Sequence, residues 1–239
     1  MANPEQLDII AQGVQIWNLW RNDHPDTKID LSAADLGAIN LQQAILAKAN
    51  LAGINLSGAN LSGSDLQGSA LDGANLVGAK IKDAKLVGAS LGEADLGKAD
   101  LGGADLKGAD LRKARLFDAD LSGSSLRMAN LWQAHLHQVN LTDANLSDAY
   151  LGEADLTRAN LERANLSNAD LNGANLLAAI LCGAKLNQAN FVGANLTNAD
   201  LEKAIALATN FQGANLTNAS CKNWSINSDT LLDNIDLAP

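Results

Sequence analysis

Residues 94–113 read Ala94-Asp95-Leu96-Gly97-Lys98, Ala99-Asp100-Leu101-Gly102-Gly103, Ala104-Asp105-Leu106-Lys107-Gly108, Ala109-Asp110-Leu111-Arg112-Lys113. One five-residue unit is written four times: a small residue, Asp, a central Leu, and two variable residues. Outward from this stretch a large apolar centre returns at every fifth position from Leu31 to Ile226, forty units in one register within residues 29–228. Only Ile81, Phe191, Ala206, Phe211, Cys221 and Ile226 replace the central Leu. The position two before the centre is Ala in most units, with Ile29, Ile39, Ile54, Ser64, Ser69, Ser124, Val139, Thr209 and Trp224 as the departures. Two columns are therefore predicted to be buried and three to be wet.

A period of five is neither the 3.6 of a helix nor the 2.0 of a plain strand. Residues two apart on an extended segment share a face, so Ala94 and Leu96 point inward together, and the remaining three residues must turn the chain. Gly, Ser, Asn and Asp dominate those three positions, and these residues favour turns and local side-chain hydrogen bonds. The pattern predicts an all-β solenoid of short extended sides and corners, each coil bonded to the coils above and below. Each unit hides its apolar side only by stacking on copies of itself, which makes one elongated body of a chain of 239 residues. With 3% aromatic residues the interior must be thin and repetitive. Periodicity does not fix the number of sides.

The pattern A-[DN]-L-x-x, written out at Ala99-Asp100-Leu101, Ala104-Asp105-Leu106, Ala159-Asn160-Leu161 and Ala194-Asn195-Leu196, resembles the pentapeptide-repeat proteins. The resemblance implies a right-handed quadrilateral β-helix with four units per coil, hence about ten coils and a length of about 48 Å. The segment Ile16-Trp17-Asn18-Leu19-Trp20-Arg21, followed by Pro25 and Asp30-Leu31, is similar to the leader of cyanobacterial members. Length and register are similar to a cyanobacterial regulator of heterocyst differentiation, which implies a regulatory role exerted through a partner protein.

The ends divide the chain into residues 1–28 as an N-terminal capping helix and linker, 29–228 as the repeat body, and 229–239 as a C-terminal cap. Asn3-Pro4-Glu5-Gln6 is a helix start, with Asn as N-cap, Pro in the first turn and Gln three after the cap. One amphipathic helix is predicted from about Pro4 to Arg21, ended by Asn22-Asp23-His24-Pro25 and laid over the open first coil. At the other end Ser228-Asp229-Thr230 is expected to cap a short helical turn carrying Leu231, Leu232, Ile235 and Leu237, with Trp224 filling space where no coil follows.

Formal charge is −10, but the repeat body holds 20 acidic and 15 basic residues, so its surface is mixed. The N-terminus has no basic and apolar leader and no run approaches a membrane span, which points to a cytoplasmic protein without a membrane partner. Cys182 and Cys221 stand at different positions of the unit and are expected as free thiols.

Stacking at intervals of twenty maps the outer surface. Outward positions of the coils from Leu111 to Tyr150 carry Arg112, Lys113, Arg115, Phe117, Arg127, Met128, Trp132, His135, His137 and Tyr150. Arg112 falls under Trp132, Arg115 under His135, and Phe117 under His137. Interior packing does not require these residues, and Trp, Tyr and Arg anchor protein interfaces. Arg112, Lys113, Arg115, Phe117, Trp132, His135, His137 and Tyr150 are therefore the candidate partner-binding residues. Scattered surface aromatics by themselves carry no meaning, so the weight rests on the clustering. A metal at His135 and His137, with Asp118 or Asp155 nearby, would need third and fourth ligands in an enforced geometry that the sequence does not show.

Leu177, Ile180, Cys182, Val192, Ile205 and Leu207 gather outward toward the C-terminal coils as a self-association surface or as covered corners, so a homodimer is one expectation. Asp95, Asp100, Asp105 and Asp110 run around one coil and read as structural. No nucleophile with a base, phosphate-binding Gly motif or paired carboxylates in a cleft is present, and neither catalysis nor a cofactor is expected. Some family members resemble acidic B-form DNA and occupy DNA gyrase, which makes such a DNA mimic the alternative. Mimicry needs a continuous negative track, and Arg112, Lys113 and Arg115 interrupt it. Direct nucleic-acid binding lacks a basic footprint.

Overall fold

In each of the thirty-nine units from Leu31 to Cys221, the second residue after the centre has a left-handed backbone, with φ between +54° and +69°. Fourteen of these residues are glycine and twenty-five are not. In all of these units but that of Ala206 the next inward residue donates its N–H to the central carbonyl, as Ala99 does to Leu96 at 3.0 Å. A four-residue turn with a left-handed third residue has the signature of type II. These turns make the corners of a four-sided parallel β-helix, shown here by a computed structural model that describes residues 2–233 and residue 235.

Successive coils pair in parallel bridges at an offset of twenty residues, such as Asp95 with Arg115 and Arg115 with His135. The unit around Leu96 shows why five residues suffice. Leu96 donates to the Arg115 carbonyl at 2.7 Å, Lys98 to Phe117 at 2.9 Å, and Arg115 to Ala94 at 2.9 Å. Those bonds and the turn occupy four of the five N–H groups in a unit. The fifth, on the residue after the centre, is taken by a side chain: Gly97 donates to Asp95 Oδ1 at 3.1 Å. The Asp or Asn before the centre is thus the missing acceptor, which is the structural role expected of Asp95, Asp100, Asp105 and Asp110. Every backbone donor of such a unit is satisfied by its own turn, its own Asp or Asn side chain or the adjacent coils.

Both inward columns are buried without exception from Leu41 to Leu216. The serines among them are small enough to fit; Ser69 and Ser124 return their hydroxyls to Leu66 and Leu121 carbonyls at 2.7 Å. Ser64 Oγ is buried without a partner. Toward the C-terminus the core swells, with Phe191 and Phe211 stacked at 5.1 Å and Trp224 tilted against Phe211 at 5.8 Å. Trp224 is half-buried and occupies the place anticipated for it.

Three expectations at the ends are corrected. The N-terminal segment forms two helices, α1 (Pro4–Ala11) and α2 (Val14–Asp23), not one. Gly13 breaks it at φ +109° and ψ +161°, a conformation essentially restricted to glycine. Asn3 Oδ1 accepts from the Glu5 and Gln6 N–H groups as an N-cap. Gln6 does not close the capping box; it accepts from Asp30 N–H at 2.8 Å and donates to the Lys28 carbonyl at 2.9 Å, fastening α1 to the first coil. The described residues of 229–235 form no helical turn, because Leu231 pairs with Asn210 as another rung. That rung is offset by twenty-one residues. The turn closed by Thr230 N–H on the Asn227 carbonyl, at 3.1 Å, absorbs the extra residue. Ile226 consequently leaves the inward column and is 41% exposed. Leu237 lies outside the described residues.

Candidate functional site

The predicted surface residues fall on two adjacent sides. Asn130 pairs with Asp110 below and Tyr150 above, which sets Arg112, Lys113, Trp132 and Tyr150 on one side. The bridges Arg115–His135–Asp155 set Arg115, Phe117, His135 and His137 on the next. Leu131 and Leu136 are buried between them, so Trp132, His135 and His137 point outward. Arg112, Lys113, Arg115, Trp132, His135 and Tyr150 are exposed, and Phe117 and His137 half-buried. Arg127 and Met128 lie on the preceding side, where Arg127 pairs with Asp148 at 3.3 Å.

The aromatic residues are held by their neighbours. Phe117 lies flat against Gly97, where any Cβ would collide with the ring, and His137 stacks on its other face at 5.7 Å with 9° between planes. Trp132 rests against Gly152, whose position would bring a Cβ to 3.4 Å from Trp132 Cδ1. Lys113 Nζ sits 5.8 Å from the Trp132 ring centroid. Side chains already fixed in one orientation lose less entropy when a partner closes over them. The cations are steadied as well: Arg112 forms a two-pronged pair with Asp110, Nε to Oδ1 at 2.9 Å and Nη2 to Oδ2 at 2.6 Å. This contact holds the Asp110 carboxyl below its ordinary range. Arg115 reaches Asp95 at 3.7 Å. Such exposed pairs add little stability, and their effect here is to orient the guanidinium groups.

Two grooves flank Lys113. One, of about 550 Å³, has Gly73 and Gly92 as its floor and Asp72, Glu93, Arg112, Lys113 and Trp132 as its walls. The other, of about 330 Å³, lies between Lys113, Gln133, His135, Glu153 and Asp155. The sequence reading missed Asp72, Gly92, Glu93 and the two supporting glycines, Gly97 and Gly152. Their signal was present: stepping by twenty from Trp132 gives Arg112, Gly92 and Asp72 below it and Gly152 above.

Arg115, His135 and Tyr150 also occupy the position where Asp or Asn ordinarily accepts the N–H two residues on. None of the three provides that acceptor, so each unit here gives up a local hydrogen bond for an outward side chain. No group of three or more His, Cys, Asp or Glu among the described residues is placed to hold a metal ion. His135 and His137 face solvent on opposite sides of the Leu136 position. Cys182 and Cys221 are free thiols, and burial pushes the Cys221 thiol up. Among the C-terminal apolar residues, Ile180 and Leu207 are exposed and Leu177, Cys182, Val192 and Ile205 half-buried.

The repeats match the family described as Pentapeptide repeats in eight copies between residues 27 and 223. The chain belongs to the pentapeptide repeat family. One solved relative is HetL, a pentapeptide repeat protein involved in heterocyst differentiation regulation, from the cyanobacterium Nostoc sp. strain PCC 7120. The two are 34% identical over 87% of this chain and 92% of HetL, with a TM-score of 0.57. Full-length QnrB1, a plasmid-mediated fluoroquinolone resistance protein, is 18% identical over 81% of this chain and 92% of its own, with a TM-score of 0.55. At that identity QnrB1 speaks for the fold alone, the right-handed quadrilateral β-helix that this pentapeptide repeat protein shares. No curated protein sequence matches the chain. No helix among the described residues is long and apolar enough to cross a membrane.

Proposed function

We propose that this pentapeptide repeat protein is a non-catalytic regulator that binds a partner protein on the two sides carrying Arg112 to Tyr150. The observation that carries the reading is the mounting of Phe117 and Trp132 on glycine shelves, with His137 and Lys113 packed against their rings. A surface whose only task is to stay in solution has no need of such supports. The likeness to HetL supports a role in signalling that governs differentiation. The reading places the protein in the cytoplasm with no cofactor.

The mixed surface favours this reading over a DNA mimic, since a mimic would present carboxylates where Arg112, Lys113 and Arg115 stand. Co-purification from the native cell tests the proposal. The wild-type chain should enrich a partner that Trp132→Ala, Arg115→Ala and His137→Ala each lose by roughly 10-fold or more, as anchors at an interface centre do. Thr142→Ala, on the side opposite Trp132, should retain it. Equal capture by all four variants would remove the surface from consideration.

A further inference from the structure

The first coil ends in main-chain groups that in every later coil meet the coil before. Two adjacent sides of that end are capped. Asp30 N–H donates to Gln6 Oε1 at 2.8 Å and its carbonyl accepts from Asn3 N–H at 2.7 Å. Ile45 N–H donates to Asn18 Oδ1 at 2.9 Å and its carbonyl accepts from Trp17 Nε1 at 2.9 Å. The other two sides have no such cover: among the described residues the N–H groups of Asp35 and Asn40 and the carbonyls of Asp35, Gly37, Asn40 and Gln42 find no acceptor or donor. Beneath them Leu36 and Ile39 are only half-buried. Unpaired strand edges over accessible apolar interior are sites of association.

The missing cover is present elsewhere on the same molecule. The outer face of α2 exposes Leu19 at 63% and Ile16 at 44%, flanked by the exposed amides Gln15 and Asn22. Gln6 and Asn18, amides of the same chemistry, cap the covered half. We propose that two copies join end to end, each laying the outer face of α2 over the open half of the other. A helix is about 10 Å thick, so a half-covered end is a step, and two steps related by a two-fold axis along their dividing line fit as a lap joint. Ile16 and Leu19 of each copy then cover Leu36 and Ile39 of the other. The contact is self-complementary and closed, which selects a second copy over a foreign strand. It lies on a different face from the partner surface and stands independently of it.

Sedimentation equilibrium of the full chain at ~50 µM should show a dimer. Leu19→Glu, at an exposed helical position that leaves the fold unchanged by circular dichroism, should weaken association by at least ~100-fold. Amide exchange at Asp35 and Asn40 should be at least ~10-fold faster in that variant than in wild type, with Asp30 and Ile45 unaffected. Ile180→Glu, on the C-terminal apolar surface, should leave the dimer intact. A monomeric wild type, a dimer indifferent to Leu19→Glu, or one dissolved by Ile180→Glu would each overturn the proposal, the first leaving the open edge to an extended segment of another protein.

Discussion

At the residue scale the five-residue unit is a closed hydrogen-bond account, and its exceptions are informative. Ser64 stands where Ala is the rule, buried and without an acceptor. An unpaired buried hydroxyl costs about 1 kcal/mol or more, so Ser64→Ala should raise stability by about that amount in chemical denaturation. Ser69→Ala and Ser124→Ala, which lose a made bond, should not; a loss of stability in Ser64→Ala would show that its hydroxyl is paired. His135 is the converse case, an outward side chain kept at the expense of a turn acceptor. Asn at that position would accept the His137 N–H, as Asn140 accepts that of Thr142 at 3.2 Å. His135→Asn is expected to gain roughly 0.5–1 kcal/mol while losing partner capture. A variant that loses stability would contradict the assignment of this position as function over fold.

At the scale of elements the N-terminal pair acts as a substitute coil. Trp17 is fully buried, and side chains of α1 and α2 imitate the main-chain groups that another coil would have offered. Gly13 makes the imitation possible by turning α2 away from the axis of α1, so that Gln6 and Asn18 reach different sides of the square. Gly13→Ala forces a side chain into a backbone region open to glycine alone. It should cost on the order of 1–3 kcal/mol, read as a lower denaturation midpoint. An unchanged midpoint would mean that the two helices dock without that turn.

Across the whole molecule, charged contacts run both within a coil, as Arg112–Asp110 does, and between coils, as Arg163–Asp143 does. Asp110 and Asp143 are held below their ordinary range chiefly by hydrogen bonds from Arg112 and Arg163, and Asp30 by a hydrogen bond from Ser32. A carboxylate whose folded-state pKa is depressed stabilises the fold fully above its unfolded value, and that contribution is lost as pH falls through the folded one. Thermal stability should therefore hold near neutrality and decline below the ordinary carboxylate range, near 3.8. Asp143→Asn removes the two-pronged pair with Arg163, whose contacts are both 2.8 Å. Its melting temperature should fall less between pH 5 and pH 3 than that of the wild type. An equally steep decline would mean that this pair contributes nothing.

The sequence alone determined the body of the fold. The identity of Leu96 and its neighbours every five residues states which atoms are hidden, and the order Asp-Leu states which turn donor is satisfied, because both are local consequences of one unit meeting its copies. It also placed Trp132, His135 and His137 outside, for the same arithmetic that puts Leu131 and Leu136 inside. Tertiary structure decided what depends on distances between coils or on places where the repeat stops. The larger groove beside Lys113 has Gly73 and Gly92 in its lining, and Gly152 leaves room for the Trp132 ring twenty residues before it. The break at Gly13, the slipped rung at Leu231 and the half-open first coil depend on contacts that have no periodic counterpart, so no repeat of the sequence could announce them.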